Sequence, residues 1–355
     1  MYYSQKTTRN PAILIAVILL APTTANTLYA KEWQGWLGAQ SRDLGSQALA
    51  FLPNQFWIHA NDSIRWTIAS TEIHTVTFLI PPPPSPPGQL GQIRPPLFGP
   101  VWDVQVGCPG VTPDGSSFDG TKCVNSGIIG AFDTIVGPQS YSVRFPTPGN
   151  FKVVCLVHAD MTGAIHVLNS SETLPYDQDF YNREAQTDGT ALVAEASGLA
   201  GRGVAENNDG GPYAKVTAAV AKITTRSGAG SQTPSLVRFL PQVIVIRVGD
   251  TVEWTSLDAS IGHTVTFGTE PADPRPPSAN VLPTSDGARQ AMISLPTDSA
   301  HSGLLLAASQ DRPNLGVSAL GVTRFRVTFK SPGTFNYICA LHDNLGMKGT
   351  VIVHQ

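Results

Sequence analysis

Two stretches of the chain share a sequence pattern that decides how the rest is interpreted. The first is FLPNQFWIHANDSIRWT, residues 51–67, and the second is FLPQVIVIRVGDTVEWT, residues 239–255. They start 188 residues apart and have Phe, Leu, Pro, Ile, Asp, Trp and Thr at matching positions. Each is followed by the same pentapeptide, His-Thr-Val-Thr-Phe, at residues 74–78 and again at residues 263–267. Self-similarity of this kind predicts two tandem copies of one fold.

The ends of the two copies match as well, and their pattern is that of strands. Residues 145–163, FPTPGNFKVVCLVHADMTG, align with residues 329–349, FKSPGTFNYICALHDNLGMKG. In each copy a Pro-Gly pair separates two runs with the period of a half-buried strand. The apolar positions are Tyr141, Val143, Phe145, Phe151, Val153 and Cys155, and in the second copy Phe325, Val327, Phe329, Phe335, Tyr337 and Cys339. Because alternate residues of a strand face the same side, both cysteines are predicted to face the core.

The composition fits many short strands joined by turns. The chain has 355 residues with 33 Gly and 29 Pro, and only 14% of its residues are charged, against about 25% in an average protein. Few charges and many turn-forming residues disfavour disorder and long solvated helices. The 23 basic and 26 acidic residues give a formal net charge of -3 without any basic run, so nucleic acid is excluded as an expected partner.

The first 30 residues have the form of a signal peptide. Lys6 and Arg9 precede an apolar stretch, residues 12–21, and small residues follow up to Ala30. A bilayer span needs roughly 20 apolar residues, so this shorter run predicts no stable membrane span after cleavage. Cleavage is expected after Ala25 or after Ala30. The chain is therefore predicted to be exported, to the periplasm or the extracellular space.

One helix is predicted, between the two copies. Residues 177–199 place apolar side chains roughly on one face, although Gly189 interrupts the pattern. These apolar side chains are Phe180, Leu192, Val193, Ala196 and Leu199. The Gly-rich residues 200–212 that follow are predicted to form a hinge.

These features divide the chain into a signal peptide, two repeated domains and a linker. The predicted bounds are residues 1–30 for the signal peptide, 31–170 for the first domain, 171–212 for the linker with its possible helix, and 213–355 for the second domain. The copies differ mainly in inserts rich in turn-forming residues, at about residues 80–138 and 268–318. Stretches of this composition are predicted to lie on the surface.

Each copy contains two histidines, one cysteine and one methionine in the same order. The sets are His74, Cys155, His158 and Met161, and in the second copy His263, Cys339, His342 and Met347. A plane of two imidazoles and one thiolate with a weak axial thioether suits copper that alternates between Cu(I) and Cu(II). Zinc accepts the same planar ligands, but the placement of a thioether argues against zinc. Each residue taken alone is usually core filling; the joint pattern in both copies favours copper sites.

With these motifs the sequence resembles the blue copper proteins, the cupredoxins of the plastocyanin, amicyanin and azurin type. The second loop, CALHDNLGM, has the Cys-x2-His-x4-Met spacing of plastocyanin-like proteins, and the first, CLVHADM, has the shorter Cys-x2-His-x2-Met spacing of amicyanin. The resemblance implies an all-β fold of two tandem cupredoxin-like Greek-key β-barrels or sandwiches, each holding one type 1 copper. The family commonly has Asn after the first histidine, where this chain has Thr75 and Thr264. Their hydroxyls are expected to tie the ligand loops together instead.

The resemblance also implies an electron carrier rather than an enzyme. Electrons would enter and leave through exposed edges of His158 and His342, in contact with transient redox protein partners. The alternatives are a copper-dependent oxidoreductase, of the oxidase or nitrite-reductase type, and a copper storage or delivery module. Such enzymes commonly build a second copper centre with His-x-His pairs, and no two histidines of this chain are two residues apart. The remaining histidines are interpreted as ordinary strand or loop residues: His59, His166, His301 and His354.

Four cysteines allow three complete pairings, and their positions favour one bond. Cys108 and Cys123 bracket a loop rich in Gly, Pro, Asp and Ser, whereas Cys155 and Cys339 occupy equivalent places in the two copies. In an exported chain a Cys108–Cys123 disulfide is expected. Closing a loop of this size contributes on the order of 3 kcal/mol to stability.

Thiol labelling of the unfolded, metal-free chain tests this assignment. Without reductant, only Cys155 and Cys339 should react, and after reduction all four cysteines should be tagged. Mass spectrometry counts the tags. A count of zero before reduction would show that the cysteines are paired in another way.

Overall fold

The computed structural model describes residues 30–78, 117–132, 135–158, 160–205, 211–226, 230–306 and 322–355. Most of the predicted signal peptide, much of the first insert with Cys108, and part of the second insert lie outside these residues. The described chain is built mainly of strands arranged in several sheets, which confirms the all-β class.

The N-terminal repeat contains the first strands of the chain. They are β1 Glu32–Gln40, β2 Ser46–Leu52, β3 Gln55–His59, β4 Ser63–Ile68, β5 Thr77–Phe78, β6 Val124–Asn125, β7 Ala131–Phe132, β8 Ile135–Val136, β9 Ser140–Arg144, β10 Gly149–Val154 and β11 Thr162–Leu168. Two helices follow, α1 Gln178–Gly198 and α2 Ala200–Ala205.

The C-terminal repeat contains the remaining strands. They are β12 Ala214–Ala221, β13 Thr224–Arg226, β14 Gly230–Leu240, β15 Val243–Arg247, β16 Thr251–Leu257, β17 Thr266–Phe267, β18 Leu282–Pro283, β19 Arg289–Ile293, β20 Ala300–His301, β21 Arg324–Phe329, β22 Gly333–Ile338 and β23 Lys348–His354. None of the helices in the described residues combines the length and the hydropathy that crossing a bilayer requires.

Equivalent strands pair in the same way in the two repeats. β1 pairs antiparallel with β2 and parallel with β4, and β12 pairs in the same two ways with β14 and β16. A further sheet in the N-terminal repeat has the order β3-β11-β10-β5-β6, and its counterpart has the order β15-β23-β22-β17-β20. Apolar side chains from both sheets of a repeat form one core in each case. The sequence repeat is therefore also a repeat of topology.

The alternation predicted from the sequence is confirmed in these cores. Val143 and Phe145 in the N-terminal repeat, and Phe325, Val327 and Phe329 in the C-terminal repeat, are fully buried. The two cysteines behave as their strand parity predicts. Cys155 is 1% exposed and Cys339 is 0% exposed, and each lies in the core cluster of its repeat.

The two repeats share one continuous sheet. β14 pairs antiparallel with β2, with Thr233 opposite Leu49 and Leu236 opposite Ser46. The sheet therefore runs β18-β19-β21-β16-β12-β14-β2-β1-β4-β9 through both repeats. Every residue of β2 is buried, because β1 and β14 flank it and α1 packs against it.

The predicted helix forms, and its glycine has a packing role. Asp177 caps α1 by accepting a hydrogen bond from the backbone N–H of Phe180 at 2.8 Å. A Cβ at Gly189 would lie 3.2 Å from side-chain carbons of Ala39 and Leu52. The glycine thus lets α1 approach β1 and β2 closely instead of ending the helix.

One expectation for this segment is wrong. The first six residues of the predicted hinge form helix α2, because they continue directly from α1 and contain no proline. The apolar residues predicted for one face of α1 are buried or partly buried, with Phe180 and Val193 packed against core clusters, and Tyr181 is completely buried. Residues 206–210 of the predicted hinge lie outside the described residues.

Tyr181 anchors α1 to the N-terminal core. Its hydroxyl donates a hydrogen bond to the backbone carbonyl of Trp57 at 2.9 Å and accepts one from the backbone N–H of Trp57 at 2.8 Å. Burial raises the pKa of Tyr181 to about 12. The neutral hydroxyl therefore satisfies both backbone groups of Trp57.

Replacing Tyr181 by Phe should destabilise the protein. The change leaves two backbone groups without their partner, at a cost on the order of 1–2 kcal/mol. The midpoint of urea unfolding, followed by tryptophan fluorescence, should fall. Tyr176→Phe is the matched control, because Tyr176 is 36% exposed, and its midpoint should stay near that of the wild type. Equal midpoints for both variants would contradict the anchoring role.

Candidate metal centres

In the N-terminal repeat the predicted planar ligands lie together. His74 stands between β4 and β5, Cys155 directly follows β10, and His158 lies in the next loop. All three are buried, and their ligand atoms lie within 4.8 Å of one another. The Nδ1 atoms of His74 and His158 are 3.1 Å apart, and Cys155 Sγ is 3.7 Å from His158 Nδ1. Two imidazole nitrogens and one sulfur therefore converge on one point.

The C-terminal repeat builds the same cluster. His263 precedes β17, Cys339 directly follows β22, and His342 lies in the loop after it. These residues are also buried, with ligand atoms within 4.8 Å of one another, and Cys339 Sγ lies 3.3 Å from His342 Nδ1. The Nε2 of His263 lies 3.3 Å from a carboxylate oxygen of Asp258. Within the described part of the chain its Nδ1 is buried and makes no hydrogen bond, which makes this atom a candidate metal ligand.

One threonine in each repeat connects the two segments that carry the ligands. Thr75 Oγ1 accepts a hydrogen bond from the backbone N–H of Leu156 at 2.8 Å, and Thr264 Oγ1 accepts one from that of Ala340 at 2.8 Å. Each threonine also donates its own backbone N–H to the cysteine sulfur of its cluster at 3.3 Å. These bonds fix the sulfur relative to the first histidine. They are the tie expected of threonine at this position.

The two methionines lie at the end of each ligand loop. Met161 and Met347 are fully buried, and the backbone oxygen of each accepts a hydrogen bond from the cysteine N–H of the same loop at 3.0 Å. The longer loop of the C-terminal repeat contains a one-turn 3-10 helix, Asp343–Leu345, and closes at Gly346 with φ 86°. That φ lies in the left-handed region that glycine tolerates. The one-turn helix thus accommodates the extra residues of this loop, and Met347 stays next to Cys339.

The first histidine of each cluster has a different outer partner. His74 Nε2 lies 3.1 Å from the Ser70 hydroxyl, whereas His263 Nε2 faces the Asp258 carboxylate. Asp258 is completely buried, and it accepts a hydrogen bond from the Ser235 hydroxyl at 2.6 Å. A neutral group orients one imidazole and an ionisable group orients the other. Partners of this kind tune a bound metal.

Burial controls protonation in the N-terminal cluster. Burial and then the neighbouring His158 lower the pKa of His74 well below its usual range. Burial also lowers the pKa of His158 to about 3 and raises the pKa of the Cys155 thiol. Without a metal this cluster is therefore neutral, with both imidazoles available as ligands.

Charge pairing controls protonation in the C-terminal cluster. Burial would lower the pKa of His263, but the hydrogen bond to Asp258 and the charges of Asp258 and Cys339 raise it to about 9. Burial likewise opposes ionisation of Cys339, yet the nearby His342 and His263 hold the pKa of this thiol well below its usual range. The two clusters have the same ligands in different electrostatic surroundings.

The donor atoms fit copper. Each cluster offers two imidazole nitrogens and one sulfur in a buried space, with a methionine on the same loop. Soft sulfur and imidazole ligands select copper or zinc over hard cations such as Mg²⁺ and Ca²⁺. Among the described residues, no carboxylate belongs to either cluster. The clusters are thus suited to a copper ion that changes its oxidation state.

The expectation that the outer edges of His158 and His342 reach solvent is wrong. These residues are 1% and 3% exposed. Glu72 lies between them, with Oε2 3.9 Å from His158 Nε2 and Oε1 3.5 Å from His342 Nε2. The physical reason is the shared sheet, which brings the ligand loops of the two repeats face to face.

The other predicted residues lie apart from the clusters. Cys155 and Cys339 are free thiols, as expected. Cys108 lies outside the described residues, so its disulfide with Cys123 stays a prediction. The remaining histidines belong to strands: His59, His166, His301 and His354.

Sequence reasoning missed three polar residues that contact the ligand histidines. Ser70 and Asp258 are 188 residues apart, which is the offset of the repeat, so the alignment of the two copies contained a signal for them. Glu72 has no acidic counterpart in the second copy, where Ser260 and Ile261 stand at the matching place. No pattern in the sequence pointed to Glu72.

Comparison with known proteins supports copper binding in the C-terminal repeat. Residues 227–354 match the family described as copper binding proteins, plastocyanin/azurin family. This match confirms the resemblance to blue copper proteins. No curated protein matches the chain.

Similar solved structures are copper proteins, but the likeness is weak. The oxidized plastocyanin from Dryopteris crassirhizoma is 23% identical, over 40% of this chain and 100% of that chain, with a TM-score of 0.20. Amicyanin from Paracoccus versutus is 17% identical, over 33% of this chain and 74% of that chain, with a TM-score of 0.18. The copper-containing nitrite reductase from Thermus scotoductus SA-01 is 14% identical, over 91% of this chain and 68% of that chain, with a TM-score of 0.21.

Serine in place of either cysteine should remove one of two thiolate-to-copper absorption bands. Cys155→Ser and Cys339→Ser should each lower the intense visible absorption of the copper-loaded chain by about half, because the band requires sulfur coordination. Visible spectra at equal protein concentration measure the change. A single variant that keeps the full absorption would rule out the cluster to which its cysteine was assigned.

Proposed function

We propose that this chain is an exported, two-domain type 1 copper protein that transfers electrons, with one mononuclear copper in each domain. The domains correspond to residues 31–170 and 213–355, joined by the helical linker. The observation that carries the proposal is the pair of buried clusters in which two histidines and one cysteine converge. The family match over residues 227–354 supports copper in the second of them.

The residues of each cluster have distinct roles in this proposal. His74, Cys155, His158 and Met161 would hold the copper of the N-terminal cluster, and His263, Cys339, His342 and Met347 would hold that of the C-terminal cluster. When bound, copper supplies a couple that accepts and releases one electron. The strands and the threonine hydroxyls hold the ligands in one arrangement for both oxidation states. Little reorganisation is then needed on electron transfer.

A transient redox protein is the proposed partner, and it does not touch the ligand imidazoles. His158 and His342 are buried, so an electron from such a partner passes through the protein atoms that surround each cluster. A small, weak interface suits this exchange. A storage or delivery module would bind copper without such turnover.

Copper counting with spectroscopy tests the proposal. The purified mature chain is loaded with Cu(II), the copper per chain is measured, and visible and EPR spectra are recorded during a redox titration. Two coppers with type 1 spectra and reversible reduction are expected. A third copper with a type 2 EPR signal would favour a copper-dependent oxidoreductase, and bound copper without reversible reduction would favour storage or delivery.

The two sites should have distinguishable reduction potentials, the C-terminal one lower. A buried carboxylate on His263 stabilises the more positive oxidised metal, whereas the hydroxyl on His74 does so less. Hydrogen bonds to charged groups contribute about 1.5–3 kcal/mol, and a tenfold shift of a one-electron equilibrium corresponds to about 59 mV. These figures convert to a difference on the order of 65–130 mV. Loop length also differs between the sites and affects the axial sulfur.

An exchange of the outer partners tests the cause of this difference. Asp258→Ser, in a Cys155→Ser background, should raise the potential of the C-terminal site. Ser70→Asp, in a Cys339→Ser background, should lower that of the N-terminal site. Spectroelectrochemical titration of the full-length variants gives each value. Potentials that do not move in either variant would show that these partners do not set the difference.

A further inference from the structure

We propose that Glu72 bridges the two copper centres. Its carboxylate accepts the Nε2–H groups of His158 and His342 and connects the two clusters into one internal relay. This inference rests on the proposed function, because it needs copper in both clusters. In this arrangement the two copper sites are not independent carriers that each use an exposed histidine. They exchange electrons with each other inside the chain.

Glu72 lies between the second histidines of the two clusters. Its two oxygens point to different histidines, with Oε2 3.9 Å from His158 Nε2 and Oε1 3.5 Å from His342 Nε2. These distances exceed a typical N–H···O length by about 1 Å for His158 and about half an ångström for His342, gaps that side-chain movements close. Glu72 is only 4% exposed, so the carboxylate has little access to water.

His158 and His342 each direct Nδ1 toward the cysteine sulfur of their cluster. In both loops the cysteine sulfur lies near Nδ1 of the histidine, at 3.7 Å for His158 and 3.3 Å for His342. A neutral imidazole that uses Nδ1 as a ligand has its proton on Nε2. Each Nε2–H is then a buried donor that needs an acceptor. Glu72 has one oxygen within reach of each donor.

Two polar atoms between the clusters are buried without a hydrogen-bond partner among the described residues. Glu72 Oε1 and His158 Nε2 are buried and make no hydrogen bond within the described part of the chain. Leaving such atoms unpaired is destabilising, because each has lost its hydrogen bonds to water. Hydrogen bonds from both histidines to the carboxylate satisfy the Nε2 donors and the carboxylate oxygens together. Metal-ligating histidines commonly have a carboxylate partner of this kind, and here one carboxylate serves two of them.

The bridge gives a short bonded route between the clusters. It consists of the His158 imidazole, the Glu72 carboxylate and the His342 imidazole. In the transfer itself one electron leaves the reduced site, which becomes Cu(II), and reaches the oxidised site, which becomes Cu(I). No proton or ligand moves, since both Nε2–H bonds are present before and after. The buried position of the three side chains keeps this route free of bulk water.

Proton NMR of the Cu(I)-loaded full-length chain tests the bridge itself. Two slowly exchanging, low-field imidazole Nε2–H signals are expected. Glu72→Ala should shift both upfield. Glu72→Gln has nearly the same shape but offers one acceptor oxygen and an NH₂ group, so it should keep only one low-field signal. Asp62→Asn is the control, because Asp62 is a buried carboxylate bonded to Trp33 Nε1 at 2.8 Å in the N-terminal core, and both signals should stay.

Pulse radiolysis of the same proteins tests the relay. After one-electron reduction of the Cu(II)-loaded chain, the electron should redistribute between the sites in a first-order phase that does not depend on protein concentration. Glu72→Ala and Glu72→Gln should slow this phase at least tenfold, and Asp62→Asn should not. If one Glu72 variant fails to fold, the transfer rate of the other variant tests the relay.

The outcomes separate this inference from the proposed function. Copper counts and type 1 spectra are recorded first on every sample, and their failure in the wild type would overturn the proposed function. Two intact type 1 sites whose Nε2–H signals and transfer rate are the same in both Glu72 variants as in the wild type would overturn the bridge. A third copper that is lost in Glu72→Ala would also overturn it, since Glu72 would then be a ligand.

Discussion

The antiparallel pairing of β2 with β14 is the contact on which the arrangement of the sites depends. It joins the sheets of the two repeats edge to edge and places their ligand loops opposite each other. Arg238, on β14, strengthens this junction by donating to the backbone oxygen of Leu345 at 2.7 Å and to that of Asp43 at 2.5 Å. One guanidinium thereby connects the C-terminal ligand loop to the N-terminal repeat. His158 and His342, which lie at this junction, are both buried.

Within this arrangement the two clusters are alike in ligands and unlike in charge. The strand order, the position of the cysteine after its strand and the threonine tie are the same in both repeats. The outer partner of the first histidine is a serine in one and a buried aspartate in the other. In a duplicated fold, such a difference changes the properties of one site without changing its construction. Two inequivalent sites are what the proposed transfer of electrons between them requires.

Glu72 belongs to only one repeat but serves both. It comes from the loop before His74 and lies against His342 of the other repeat, so one side chain replaces the solvent that two separate domains would have at this place. Burial raises the pKa of its carboxyl, which shows the cost of ionising this group without strong partners. The two imidazoles that flank it are the partners within reach.

Local pattern was enough to determine much of this protein. The 188-residue repeat, the alternation around Cys155 and Cys339, and the spacing of histidine, cysteine and methionine predicted the all-β class and both ligand clusters, because strand period and ligand spacing are properties of neighbouring residues. Only the tertiary structure decided that the clusters face each other across Glu72. That arrangement depends on which strand edges pair and on a single acidic side chain without a counterpart in the repeat. The pairing of strand edges between the repeats is a long-range contact, and the local periodicity of the sequence does not predict it.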